Sequence, residues 1–443
     1  MASCTLWPIA SASAAQQPED HAAAHHQHSS GDGSAPVEES GTAWAPAVSS
    51  SHGWHTRRQA WDLALHGNVF LQFISESGSE HHRGRQAGSI NWMMVMASRS
   101  LSAGRLTLRS MVSAEPWTVR GCGYPNLLAT GEVCDGDSIH DRQHPHDLFM
   151  ELTATYDRPL TRGVRWEVYG GPAGEPALGL PGFPHRLSAM ANPIAPIAHH
   201  WLDSTHVSFG VVTTGVYTSR WKLEASAFNG REPDADRTDI DLAPLDSFSA
   251  RLSIAPTTHL VVQASAGRLR EAEEGIGTLP RSDVTRVTAS GAYYRSLSTR
   301  RTWATTVAMG INAGDEFTPA GVFAATTGAG LIESTLAVNG THTYFGRLEF
   351  AQKPADDLHA HEYGVQVFTV AKVQGGYTYS FRPWNGFRSS VGVTASASFV
   401  PHELAARYEG RIAPGVGVFV NLQPSGRATD ALEAEAARLN RMR

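Results

Sequence analysis

From Trp61 onward, apolar and polar residues alternate with a period of two, the pattern of β-strands whose two faces meet different surroundings. The first run puts Trp61, Leu63, Leu65, Gly67, Val69, Leu71 and Phe73 on one side and Asp62, His66, Asn68 and Gln72 on the other. Later runs set Leu148, Met150, Leu152, Ala154 and Tyr156 against Glu151, Thr153 and Thr155, and Trp221, Leu223, Ala225 and Ala227 against Lys222, Glu224 and Ser226. Phe248, Ala250, Leu252 and Ile254 oppose Ser249, Arg251 and Ser253, and Val416, Val418, Val420 and Leu422 oppose Gly415, Gly417 and Asn421. The whole chain yields sixteen such runs, beginning near residues 61, 89, 104, 146, 162, 206, 220, 247, 259, 283, 301, 331, 341, 364, 387 and 408.

The connections between runs narrow the fold further. Short turns recur at Ser102 and Ala103, Thr218 and Ser219, Pro256 and Thr257, Ser298 and Thr299, and Asn339 and Gly340. Long connections lie between them, notably residues 117–145, 171–205, 230–246 and 313–330. Short and long connections therefore alternate. A soluble sandwich has no reason to keep its long loops at one end, whereas outer-membrane barrels have short periplasmic turns and long extracellular loops. The pattern predicts an all-β protein, a transmembrane antiparallel barrel of 14–16 strands over residues 61–423. Arg109, Glu151, Arg165, Glu167, Lys222, Glu224, Arg251, Arg347, Glu349 and Lys372 fall on the faces opposite the apolar ones. They are expected to line a wide, wet lumen and to set selectivity. Pro414 in the last run requires an irregularity or a strand end.

Composition agrees. Of 443 residues 42 are glycine and 18% are charged, glycine above and charge below the usual globular share. A formal net charge of −6 disfavours a nucleic-acid partner, leaving membrane lipid and small solutes or metal ions. No stretch is long and apolar enough for a membrane-spanning helix. Small residues around Ala12, Ser13, Ala14 and Ala15 look like a secretory cleavage site, so residues 1–15 read as the remnant of an export signal. Residues 16–60, rich in Ala, Ser, Gly, Pro and His, read as a disordered periplasmic segment. Residues 424–443 read as a tail.

Candidate chemistry is concentrated in histidine. His21, His25, His26 and His28 lie in the N-terminal segment, where mobile imidazoles suit copper or zinc, or are simply solvated. Between the third and fourth runs, Cys122 and Cys134 are spaced to close a loop by a disulfide, worth about 3 kcal/mol in the chain-entropy model. His140, Asp141, His144 and His146 follow, and His199, His200, Asp203 and His206 end the next long connection. Both sets fall at the outer end of neighbouring hairpins. Three readings stay open: a hydrogen-bonded network packing an inward-folded constriction, a zinc or copper site, or a catalytic His/Asp arrangement using Ser138 or Ser204. No specific motif surrounds either serine, so no enzyme activity and no required cofactor are expected. The Gly-, Pro- and Ala-rich residues 170–198 are expected to fold into the barrel mouth, and Met93, Met94 and Met96 to pack rather than ligate.

Residues 141–159, 186–217 and 228–234 resemble an uncharacterised family of bacterial outer-membrane barrel proteins. The resemblance covers most of the chain beyond residue 60 and implies the barrel fold and an outer-membrane location, without a substrate or catalytic residues. The leading expectation is a porin-like channel for small solutes or ions. The alternatives are an outer-membrane metal-binding protein handling copper or zinc and, more remotely, a membrane-embedded hydrolase.

Overall fold

A computed structural model describes residues 35–426, apart from residues 50–52, 81, 274–278 and 319–320. Residues 1–15, read from the sequence as a signal remnant, the His21–His28 cluster and residues 427–443 lie outside the described residues.

Sixteen antiparallel strands close into a barrel. They are β1 (Trp61–Glu76), β2 (Gly84–Leu101), β3 (Gly104–Val112), β4 (Phe149–Thr161), β5 (Val164–Gly174), β6 (Ser208–Tyr217), β7 (Trp221–Phe228) and β8 (Ser247–Thr257). The second half runs through β9 (Leu260–Glu273), β10 (Ser282–Ser298), β11 (Arg301–Thr318), β12 (Gly321–Val338), β13 (His342–Pro354), β14 (Val367–Ser380), β15 (Phe387–Phe399) and β16 (Ile412–Pro424). Each strand pairs with its chain neighbour. β16 closes on β1 from Gly415 opposite Glu76 to Leu422 opposite Val69. The remaining length of β1 is covered by one extra short strand, Trp54–Arg58, so the seam leaves little open edge. Pro414 lies just before the stretch of β16 that pairs with β1, where a missing N–H costs least.

The alternating faces separate as the sequence predicts. Leu71, Leu223, Phe248, Ile311, Leu348, Val393 and Val418 stand exposed around the outside, while Asn68, Lys222, Arg251, Arg347 and Lys372 are buried inside. Exposed Trp221, Trp303, Tyr344, Tyr379, Trp384 and Phe387 cluster at the short-turn end, the position of an interfacial aromatic girdle. No described helix is long and apolar enough to cross a membrane. A closed barrel with a lipid-compatible belt places the chain in a bacterial outer membrane, the long connections facing outward.

Four expectations require correction. Residues 313–330 are not a loop, because β11 and β12 continue through them, pairing as far as Thr318 opposite Gly321. Their Gly, Ala and Thr residues carry little face contrast, so backbone pairing alone marks the strand. Met150 does not face lipid: it is fully buried beside Trp92, Met94 and Met111. It is the extra residue of a bulge, since Met111 opposes Glu151 while Val112 opposes Phe149. The segment expected to be disordered is ordered at residues 35–49 and 53–60, where Trp44 packs against Tyr217, Ala255 and Val261 inside the barrel. Finally, the lumen is not a wide aqueous space.

Three pieces of chain fill that space. Residues 35–49 enter from one end. The hairpin Tyr124–Cys134 and Asp137–Gln143, fastened by the Cys122–Cys134 disulfide, and the connection of residues 175–207 enter from the other. Leu127, Leu128, Leu180, Ile197, Trp201 and Leu202 from the two long connections pack against Ala308, Leu331 and Val370 of the wall. Burying apolar loop surface in a polar tube is favourable only if the tube's charges are also satisfied. The charged wall residues meet that condition by pairing with the inserted chain.

Candidate metal centre

The lumen charges act first as anchors. Arg186, in the inserted connection, donates through Nε to Glu333 of β12 at 2.6 Å, and Glu333 also accepts from Arg347 Nε at 3.1 Å. Arg347 Nη1 donates to the Ile194 carbonyl at 2.8 Å, and Glu349 accepts from the Ala198 N–H at 3.3 Å. Lys372 Nζ reaches Glu76 at 2.9 Å and the Asn126 side chain at 2.9 Å, fixing the hairpin. At the other end Lys222 Nζ lies 2.5 Å from Glu167, 3.4 Å from Glu224 and 2.8 Å from the Thr42 carbonyl. Arg251 Nη2 donates to Thr42 Oγ1 at 2.9 Å, and Arg109 pairs with Glu38 at 2.6 Å and lies 3.7 Å from Glu151. Arg165 pairs with Asp157 at 2.6 Å. Arg109, Lys222, Arg251, Arg347, Glu349 and Lys372 thus fasten inserted chain, whereas Glu151, Arg165 and Glu167 pair with groups on the wall itself.

Held this way, the two histidine-bearing connections meet. A short helical turn, His199–Leu202, presents His199 and His200, and His144 arrives on the strand-like exit of the hairpin. One ligand nitrogen from each of His144, His199 and His200 falls within 4.8 Å of the others. A tetrahedral zinc site with bonds of about 2.0–2.1 Å sets about 3.3 Å between ligand nitrogens, so small ring movements close the tripod. His199 Nδ1 donates to Asp203 at 2.9 Å and His200 Nδ1 to Glu232 at 2.9 Å. These carboxylates accept only, so the Nδ1 positions carry the protons and the Nε2 lone pairs are left free. The buried Nε2 atoms of His144, His200 and His206 make no hydrogen bond. Glu132 Oε1 lies 3.2 Å from His144 Nε2, while its other oxygen pairs with Arg237. Carboxylate–histidine pairs of this kind orient metal-binding imidazoles and raise their basicity.

Backbone and charge hold the geometry. Gly131, at φ +107°, lets the hairpin pass against the His200 ring, where an added Cβ would lie 2.4 Å from the imidazole. Asp203 is shared: it pairs with Arg186, accepts from His199, and its carbonyl accepts from His206 Nδ1 at 2.7 Å. Burial works to raise the Asp203 carboxyl, but Arg186 and His199 overcome it and hold it below the usual carboxylate range. Burial lowers His144, His199 and His206 and pushes His200 down to about 4, which keeps these imidazoles neutral. His146 differs, because burial is outweighed by Glu115, whose Oε1 lies 2.9 Å from His146 Nδ1, and its proton affinity is raised.

A cavity of about 100 Å³ opens on the outer side of His200. Glu132, Glu232, Glu273, Asp315, Asp356 and Asp357 line it, with no lysine or arginine among the lining residues. Burial raises Glu232 to about 7 and Asp357 to about 7, outweighing the pull of Arg286 on the first and of Lys353 on the second.

His140 and Asp141 do not join this centre. They sit with His82 in a second group of potential ligands, His82 Nδ1 lying 2.5 Å from Asp141, and the His140 ring lies 3.6 Å from that of His359. Ser138 Oγ is 3.0 Å from His359 Nε2, but the carboxylate of Asp137 approaches the same nitrogen at 3.8 Å, so it does not orient the ring from its far side. Ser204 instead accepts from Arg286 at 2.8 Å. Glu115, Glu132, Glu232, His82, His185 and Arg186 take part without having stood out in the sequence. They lie far along the chain from the groups they touch, and no local spacing marks them.

No family model matches the chain, and no curated protein matches it. Among solved structures, a loop-deletion mutant of the outer-membrane protein OmpT of Vibrio cholerae has a TM-score of 0.48 at 12% identity, over 82% of this chain and 100% of that one. Salmonella typhi OmpF in complex with daunomycin has a TM-score of 0.48 at 8% identity, over 83% and 100%. An anion-selective porin from Comamonas acidovorans has a TM-score of 0.48 at 9% identity, over 82% and 99%.

Proposed function

We propose that this outer-membrane barrel binds a first-row transition cation, zinc or copper, inside its filled lumen. The observation carrying this reading is the convergence of His144, His199 and His200 at the floor of an outer cavity lined by carboxylates. Imidazole ligands suit these metals, and the acidic mouth favours entry of cations over anions. Isothermal titration of the folded full-length chain with Zn²⁺ tests it. The wild type is expected to bind one more equivalent than a His199→Ala/His200→Ala variant, the N-terminal histidines contributing equally to both. Equal stoichiometry would remove the site.

A second reading, porin-like passage of small solutes, is supported by two inner cavities of about 220 Å³ and about 170 Å³ that share Leu187, Met190 and Gln423 in their walls. Planar-bilayer recording separates the two: a large conductance carried by chloride as well as by cations, as in an open pore, would favour general passage over cation binding.

A further inference from the structure

The three-histidine site is one end of a longer file of imidazoles. The His200 ring lies 5.3 Å from that of His199, His199 lies 5.2 Å from His206, and His206 lies 5.3 Å from His146. Phe183 packs within about 6 Å of the last three, stacking on His146 at 5.8 Å, and forms a dry aromatic wall along the file. Two residues after Phe183, the His185 ring lies tilted against Trp92 at 4.4 Å, and burial, then His146, push it down to about 3. The buried Nε2 of His185 makes no hydrogen bond.

The two ends of the file open into different spaces. His200 lines the acidic outer cavity, whereas His185 lines the inner cavity of about 220 Å³ with Ser98, Arg105 and Thr107, which flank the short turn between β2 and β3. The contiguous part of the file runs from His200 to His146; His185 lies beyond it, near enough that the charge of His146 lowers its proton affinity, and faces the inner cavity on the short-turn side.

Its hydrogen bonding distinguishes a metal path from a proton path. Nδ1 of His199, His200, His206 and His146 each faces an oxygen, from Asp203, Glu232, the Asp203 carbonyl and Glu115 respectively. Proton hopping along imidazoles needs both nitrogens to exchange partners, and rings tied at Nδ1 cannot do this. Along the file the buried Nε2 atoms of His200, His206 and His185 make no hydrogen bond and are open as ligand positions.

We infer that the file His200, His199, His206, His146 and His185 is a ligand-exchange path that carries a divalent transition cation from the three-histidine site to the inner cavity. The barrel is then a metal conduit with a filled lumen. This inference rests on the three-histidine reading. From His200 to His146 each imidazole bond to the cation that breaks is replaced by one to the next ring, and no redox step is needed.

Full-length protein in phosphatidylcholine vesicles loaded with a zinc indicator tests the path, with Zn²⁺ added outside and folding checked by heat-dependent electrophoretic mobility. His185→Ala and His206→Phe are expected to reduce zinc influx roughly tenfold or more, His185→Ala while keeping the wild-type binding stoichiometry. Unchanged influx in a folded His185→Ala protein, no influx in a wild type that binds zinc, or metal-free proton influx through the wild type would each overturn the path and leave the binding site standing. Loss of wild-type binding itself would instead overturn the reading beneath it.

Discussion

Asp203 is the residue on which the centre turns, since one side chain and its own carbonyl fix both His199 and His206 while pairing with Arg186. Replacing it, Asp203→Asn, keeps an acceptor for His199 but leaves a buried guanidinium short of charge. Zinc affinity is expected to fall 10- to 100-fold and stability by about 3 kcal/mol, as titration calorimetry and thermal denaturation would show. Gly131→Ala forces a Cβ into the His200 ring at a positive φ, so it should weaken zinc binding with the barrel still closed, again read by titration. His144, His199 and His200 could be singled out in the sequence because imidazoles cluster there. Their partners could not: Glu232 is 32 residues from His200, and Gly131 looks like any turn glycine until the ring beside it is seen.

At the level of elements, the hairpin that carries Glu132 and leads into His144 is cross-linked by a disulfide from Cys122, just before its first strand, to Cys134 beside its turn. Cys122→Ser/Cys134→Ser should make residues 120–143 sensitive to protease and weaken zinc binding, with barrel mobility on gels unchanged. The inserted segment of residues 35–49 has its own pH dependence. Burial raises Glu39 and Glu175 each to about 8, with Ser40 Oγ donating to Glu175 at 2.7 Å and Glu39 accepting from the Leu187 N–H at 3.1 Å. Folded values above the usual carboxylate range mean that the docked form prefers these groups protonated. Docking is thus strongest below about pH 4.5 and weakens as pH rises through 8. Limited proteolysis between pH 6 and 9 should release the segment progressively, and pH-independent cleavage would refute this. The strands themselves were readable from alternation, because lipid and lumen impose opposite chemistry on successive residues. The pairing of residues 313–330 was not, since Gly, Ala and Thr suit either face, and neither was the order in residues 35–49, whose partners Arg109, Lys222 and Arg251 lie on distant strands.

For the whole molecule, sixteen strands enclose a space that an open porin would leave to water. Here wall charges spend themselves on inserted chain, so the expected single-channel conductance is far below that of an open sixteen-strand pore. Deleting residues 35–49 should raise it. Strand number, closure and membrane location follow from local alternation and turn spacing. The filling of the lumen does not, because it depends on contacts between chain segments more than a hundred residues apart, such as Arg186 with Glu333. The most direct measurement is a zinc-edge anomalous difference map of crystals of the full chain grown with Zn²⁺. A peak bounded by His144, His199 and His200 is the predicted result; zinc found elsewhere, with that position empty at saturating Zn²⁺, would contradict it.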